Sequence, residues 1–299
     1  MSEGLVPRVV LVRRPTEFEL LVDEHGTREQ ARFVLGGQGR TLDVVEERHR
    51  RMHAALEAGR RAIPRSWRSV SIVRDDLDRF VFEDRDIIVA IGQDGLVANT
   101  AKYLTGQPVI GVNPDPAAYE GILVPHETGA LADVLADTQA GRANLQSRTM
   151  VEATLDDGQR LLALNELFVG HASHQSARYH FAWDDGDEYQ SSSGIIVSTG
   201  TGATGWARSI NRDRNNVVAL PGPEVPALAY FVREAFPGSG YATDTTFGTL
   251  DAHTSLAVVS DMNVGGVIFG DGIESDRLSF AWGTSATIGV ARQSLRLVA

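Results

Sequence analysis

An α/β domain followed by a β-rich domain is the architecture that this sequence predicts. Over residues 8 to 112, apolar runs of strand length alternate with helical periodicity. Two of those runs, Asp86–Ile91 and Pro108–Val112, are apolar almost throughout, as suits parallel strands covered on both faces. From about Met150 onward, short strands separated by turns take over.

The first run, Val9–Val12, is short and is followed by Arg13-Arg14-Pro15, so it reads as an opening strand and not as a secretion signal. Asp43 to Arg61 reads as a helix. Asp43 with Glu46 three residues on has the form of a capping box, and Val45, Met52, Ala55, Leu56 and Gly59 share one helical face. Ser69–Val73 is the next strand. Leu96–Leu104 is a helix that joins Asp86–Ile91 to Pro108–Val112 by a right-handed crossover. In such a sheet, ligands bind beyond the carboxyl ends of the strands. The loops Gly92-Gln93-Asp94-Gly95 and Asn113-Pro114-Asp115-Pro116 then face one crevice, with Asp94 the leading candidate for chemistry. Thr128 to Gly141 reads as a surface helix, and the chain divides into residues 1–125 and 126–299. In the second part Asp156-Asp157-Gly158 and Asp184-Asp185-Gly186 are hairpin signals. Strands are expected at Ser255–Ser260, Val264–Phe269 and Ser285–Val290, while helix and strand signals compete at Ala227–Phe236.

With 299 residues, 42% of them hydrophobic and 22% charged, the chain has an ordinary globular composition and an ample core. A net charge of −11 argues against a general nucleic-acid or anionic-membrane surface, so a polyanionic ligand must be held locally. The absence of cysteine excludes disulfides, thiolate chemistry and cysteine zinc sites. The eight histidines show no H-E-x-x-H or comparable spacing, and no residue is assigned as a metal ligand. No apolar run approaches the ~18 residues that span a bilayer, which makes the cytoplasm the default location.

The most informative stretch is Leu162 to Arg212. It sets the polar pair Asn165-Glu166 within an apolar run, where an unpaired carboxylate costs several kcal/mol or takes up a proton. Downstream, Gly194–Thr199 reads as a strand running into Gly200-Thr201-Gly202-Ala203-Thr204-Gly205-Trp206. Glycines there let backbone amides approach a sugar or phosphate, and Thr199, Thr201 and Thr204 supply hydroxyls. Ligand binding is the natural inference.

Taken together, these motifs resemble the NAD kinase family across roughly residues 8 to 299, most closely its mitochondrial-type branch. The matches are Val109 to Pro116 followed by Glu120-Gly121, Ala163 to Glu166, Ser192-Ser193-Gly194, Thr199 to Gly202, and Trp206 before Ile210-Asn211-Arg212. Typical bacterial members carry aspartate and proline where this chain has Ser193 and Gly200. The resemblance implies a Rossmann-like α/β domain followed by a β-sandwich-like all-β domain. It also implies phosphoryl transfer from ATP to the 2′-hydroxyl of the adenosine ribose of NAD, with Mg2+ on the donor phosphates, and a homodimer or higher homo-oligomer.

Carried over by position, Asp94 matches the aspartate placed to take the proton from the attacking hydroxyl. Gly92 and Gly95 match the phosphate-loop glycines, and Asn113 matches an asparagine at the strand-end crevice. Asn165 and Glu166 match the pair that grips the dinucleotide. Thr199, Thr201 and Gly202 match the loop at its adenosine end, with Ser193 and Thr204 beside them. The chain departs from the pattern at Gln93 and Leu96, where the motif has glycine and threonine, and at Ala203 and Met262. These departures leave two other functions open: a non-catalytic NAD(P)-binding or sensing protein, and a kinase of the same scaffold acting on a different hydroxyl.

Overall fold

Valine- and isoleucine-rich runs form the buried sheet of the first unit. The computed structural model describes residues 6–118, 120–183 and 186–299, and it separates into Met1–Gln146 with Arg296–Ala299, and Ser147–Leu295. In chain order the first unit contains β1 (Arg8–Arg13), α1 (Glu17–His25), α2 (Arg28–Gly37), α3 (Leu42–Ala62), β2 (Arg68–Val73), β3 (Ile87–Ile91), α4 (Asp94–Ala101), β4 (Pro108–Asn113), β5 (His126–Glu127) and α5 (Leu131–Gln139). Its sheet runs β4-β3-β1-β2, all parallel, and residues 296–298 add a parallel strand beside β4. All five residues of β3 are buried, as an apolar strand between two helical layers requires.

The predicted helix at 43–61 is α3, and Val45, Ala55, Leu56 and Gly59 are on its buried face. Its start differs from expectation. Thr41 is the N-cap, without a side-chain hydrogen bond, and Glu46 instead pairs with Arg28 of α2. The capping box lies earlier, where Thr16 and Glu19 cap α1 reciprocally, and the Thr27 hydroxyl accepts from the Gln30 amide to start α2.

The compact units divide at 146/147, where the sequence places the division at 125/126. The reason is that β5 continues the parallel pairing of β4, and Leu131 and Leu135 of α5 are fully buried in the core of the first unit. A helix read as a surface element is therefore half core.

The second unit contains β6 (Leu145–Leu155), β7 (Arg160–Ala163), β8 (Glu166–His171), β9 (Ala177–Trp183), β10 (Gly186–Ser192), β11 (Ile195–Ser198), α6 (Trp206–Asp213), β12 (Leu228–Val232), β13 (Phe247–Leu250), β14 (Ser255–Ser260), β15 (Gly266–Gly270), β16 (Arg277–Ser279) and β17 (Ser285–Val298). One sheet runs β10-β9-β14-β17-β6-β7 and the other β13-β12-β11-β8-β15-β16. Alternate residues of both fill a shared core, with Tyr179, Phe181, Leu256 and Ile288 from one sheet meeting Leu167, Val169, Ile195, Val197 and Ile268 from the other. This is the expected β-sandwich. The competition at 227–236 resolves to strand, because β12 is the fully buried neighbour of β11. The turn at 156–158 is present, with Gly158 at φ 88. Asp184 and Asp185 of the other hairpin signal lie outside the described residues.

Candidate functional site

The loop after β3 is tied to the sheet by the Gly92 amide, which donates to the Val112 carbonyl at 3.0 Å. Asp94 then opens α4, and its carboxylate is held from both sides: Oδ1 accepts from the Leu123 amide at 2.8 Å and Oδ2 from the Ile122 amide at 3.1 Å. Each oxygen keeps a lone pair for a further donor. Asp94 lines a cleft of about 420 Å³ together with Gln93, Gly95, Glu120 and Gly121.

The 121–124 segment that grips Asp94 crosses β4 at Gly111, where a Cβ would stand 1.9 Å from the Leu123 carbonyl oxygen. Gly111→Ala should therefore displace that segment and cost about 3 kcal/mol, at the upper end for overpacking. Urea unfolding measures this, and a wild-type midpoint would refute the assigned role.

On the other side of Gln93 lies a pocket of about 230 Å³ walled by Arg14, Arg48, Arg51, Gly92, Pro114 and Asp115. It sits beyond the carboxyl ends of β1, β3 and β4, where the strand order reverses around β1. The two loops share one crevice, as expected from the sequence. Arg51 pairs with Asp115 at 3.0 Å, while Arg14 and Arg48 have no ion-pair partner among the described residues. Desolvation and the nearby Arg74 charge hold Arg14 below the usual arginine range.

Other predicted positions in this unit support the backbone. Asn113 Oδ1 accepts from the Asp115 amide at 3.0 Å and shapes the second loop. Leu96 is buried and packs beneath Gly92, so the position where the motif has a hydroxyl belongs here to the core. Gly95 has open space around its α-carbon, and Gln93 is exposed.

In the second unit Leu164 and Asn165 separate β7 from β8, and Glu166 is the first residue of β8, paired with Ser198 of β11. Asp271, which the sequence reading did not single out, holds this break. Its Oδ1 and Oδ2 accept from the amides of Asn165 at 2.7 Å and Leu164 at 2.9 Å. The available signal was Asp271-Gly272 directly after an apolar run. Losing two charge-assisted bonds in Asp271→Ala should lower stability by about 3 kcal/mol. Chemical denaturation measures it, and an effect below about 1 kcal/mol would contradict the assignment.

Thr199 closes the same knot from the other strand. Its amide donates to the Asn165 carbonyl at 2.9 Å, and its hydroxyl donates to the Leu164 carbonyl at 2.5 Å. The same hydroxyl accepts from the amides of Thr201 and Gly202 at 3.1 and 3.3 Å. Thr199 is thus wholly engaged in shaping the loop. A Cβ at Gly202 would stand 2.3 Å from the Asn165 carbonyl oxygen, and one at Gly200 would stand 2.0 Å from that of Gly222. These glycines admit neighbouring backbone, where the sequence suggested the approach of a ligand.

Three polar side chains of this knot are left open. Thr201 Oγ1 is buried without a hydrogen-bond partner. Among the described residues, no donor reaches the Glu166 carboxylate and no side-chain hydrogen bond is made by Asn165. Burial, and then the Asp271 charge, push Glu166 up to about 7. An unpaired buried hydroxyl and a desolvated carboxylate are both costly, and both can be satisfied by the hydroxyls of a sugar.

The chain is similar in sequence and fold to proteins of known activity. The chain is 30% identical to the NAD kinase of Chlorobaculum tepidum over 128 residues, covering 42% of this chain and 44% of the relative. It is 27% identical over 256 residues to mitochondrial NAD kinase 2 of Rattus norvegicus and of Homo sapiens, covering 69% of this chain and 60% and 58% of those proteins. The chain thus spans between 44% and 60% of the length of these relatives. The fold matches yeast NADH kinase complexed with NADH at a TM-score of 0.64, with 14% identity over 99% of this chain and 84% of that one. It also matches an NAD kinase from Archaeoglobus fulgidus in complex with ATP at 0.58, with 15% identity over 98% and 93%. No protein-family profile matches the chain. The chain is therefore similar to NAD kinases in sequence and shares their fold.

Within an NAD kinase fold, the remaining positions divide by exposure. Ser193, in the turn between β10 and β11, is exposed, and its amide donates to the Arg233 carbonyl. Thr204 is exposed, with its hydroxyl donating to the Thr201 carbonyl at 3.2 Å. Asn211 of the matched Ile-Asn-Arg run exchanges two hydrogen bonds with Val218, which makes it a fastener for α6. One histidine spacing stands out in the structure, since His49 and His53, four residues apart on α3, and Glu19 of α1 bring one ligand atom each within 4.8 Å of one another. No helix among the described residues is long and apolar enough to cross a membrane.

Proposed function

We propose that the protein is an NAD kinase, which transfers the γ-phosphoryl group of ATP to the 2′-hydroxyl of the adenosine ribose of NAD. The observation that carries this is the set of open polar groups at Asn165, Glu166 and Thr201, on a backbone knot that Asp271 and Thr199 hold in place. Glu166 and Asn165 would bind the hydroxyls of the dinucleotide, and Thr201 its adenosine end. Arg14 and Arg48, without carboxylate partners, suit the donor phosphates. Mg2+ would be carried by those phosphates and neutralise charge as they separate, and no side chain is assigned to it.

Asp94 is the base of this mechanism. It accepts the proton of the 2′-hydroxyl as the oxygen–phosphorus bond forms, while the bond to the β-phosphate oxygen breaks and ADP leaves. The paired amides of Ile122 and Leu123 keep the carboxylate aimed, so little reorientation is needed at the moment of transfer. Action in the cytoplasm as a homodimer or higher homo-oligomer belongs to the same proposal, and analytical ultracentrifugation tests the assembly.

The deciding assay combines purified protein, NAD, ATP and magnesium, with NADP measured enzymatically. Formation of NADP is the expected result. A second reading has one observation in its favour: exposed Gln93 stands at the junction of both clefts, where a donor would pass. It describes a protein that binds NAD or NADP without transferring phosphate. Thermal stabilisation by NAD, with neither stabilisation by ATP nor turnover, would select it.

A further inference from the structure

Apart from the residues assigned to NAD and ATP, Glu19 of α1 and His49 and His53 of α3 each bring one ligand atom to within 4.8 Å of the others. The two histidines are four residues apart, so the helix places them on one face, with ring centroids 4.2 Å apart and the rings tilted by 50°. Glu19 is fixed from behind: its Oε2 accepts from the Thr16 amide at 2.7 Å and from Arg13 at 2.8 Å. That leaves Oε1 facing His53 Nε2 at 3.4 Å. Two ligands on a tetrahedral zinc ion, with bonds of about 2.0–2.1 Å, stand roughly 3.3–3.4 Å apart. One edge of a coordination tetrahedron is therefore already in place.

The third ligand is also oriented. The Thr16 hydroxyl is 2.7 Å from His49 Nδ1 and sets the plane of the ring, as outer partners do for metal-bound imidazoles. A simple surface ion pair accounts for His53 and Glu19 but not for a second imidazole brought within 4.2 Å of the first, its ring tilted by 50°. The wider spacings must contract from at most 4.8 Å to about 3.4 Å, within reach of side-chain rotation because His53 is 46% exposed.

We propose that Glu19, His49 and His53 form a binding site for a divalent transition-metal ion of the zinc class, with a fourth position open to water. Two imidazole nitrogens and one carboxylate favour zinc, cobalt or nickel over magnesium, which prefers an octahedron of oxygens. The bound ion clamps α1 to α3. Because His49 also lines the 230 Å³ pocket, the ion sits at the rim of that pocket.

The test uses the full chain freed of any affinity tag, stripped with EDTA and titrated without nucleotide, so its outcome is independent of kinase activity. Zn2+ uptake by calorimetry in excess Mg2+ should give one ion per chain, and Co2+ should give the intense visible bands of four-coordination. His49→Ala and His53→Ala should each weaken binding by at least about tenfold. Glu19→Gln, which keeps an acceptor for the helix cap, should weaken it with circular dichroism unchanged. Absence of uptake, equal affinity in these variants, or displacement by Mg2+ would overturn the site.

Discussion

Asp94→Asn should lower kcat by about 10²–10⁴-fold, the range associated with losing a positioned general base, while the affinity for NAD stays near that of the wild type. The carboxamide retains one acceptor for the Leu123 amide but turns an N–H toward Ile122, or the reverse, so one of the two bonds that aim residue 94 is lost. That structural loss is worth about 1–3 kcal/mol and should appear in the unfolding midpoint. The kinetic loss is larger and of another kind. If Asp94 only buttressed residues 122–123, the variant would raise KM and lower stability together, with kcat little changed. Single-turnover phosphorylation of NAD, measured beside NAD binding by calorimetry, separates the two. A variant that transfers phosphate at the wild-type single-turnover rate would exclude Asp94 as the base.

Both halves of the fold were legible because each shows its own hydrophobic period. Ile87–Ile91 and Val109–Val112 are continuous apolar runs, as doubly covered parallel strands must be, and most sandwich strands are short and separated by turns, although β6 and β17 run to 11 and 14 residues. Helices α1 and α2 were missed, although Thr16-x-x-Glu19 and Thr27-x-x-Gln30 carry capping signatures at their starts. With only nine residues, α1 offers just Phe18 and Leu21, partly buried against α2 and α3, too short a stripe for periodicity to detect. The candidate positions stood out as motifs, but their division of labour did not. Thr199, Gly200 and Gly202 shape backbone, and Asp271 does the holding from more than 100 residues away in sequence. Such partnerships rest on main-chain amides and carbonyls, which every residue possesses, and so leave no side-chain pattern to read.

Glu166→Gln should make the protein more stable and a poorer binder of NAD. Burial, followed by the Asp271 charge, raises the folded-state value of Glu166 from its usual 4.5 to about 7. The folded form therefore retains a proton that the unfolded chain has already released between those values. Stability contributed at this position is greatest below pH 4.5, declines as pH rises, and reaches its full deficit above about 7. The deficit amounts to about 3 kcal/mol, taking 1.36 kcal/mol per pH unit of displacement. Glutamine carries no charge to desolvate, so the variant should gain up to about that amount at pH 8 and lose this component of the pH dependence. Ribose hydroxyls donate better to the ionised carboxylate, so NAD binding to the wild type should tighten about tenfold from pH 6 to pH 8, with proton release near pH 6.5. Denaturation at pH 5 and 8 gives the first effect, and calorimetry in buffers of different ionisation enthalpy gives the second. A wild-type protein whose NAD affinity is level across that range would show that Glu166 does not receive the ligand as a carboxylate.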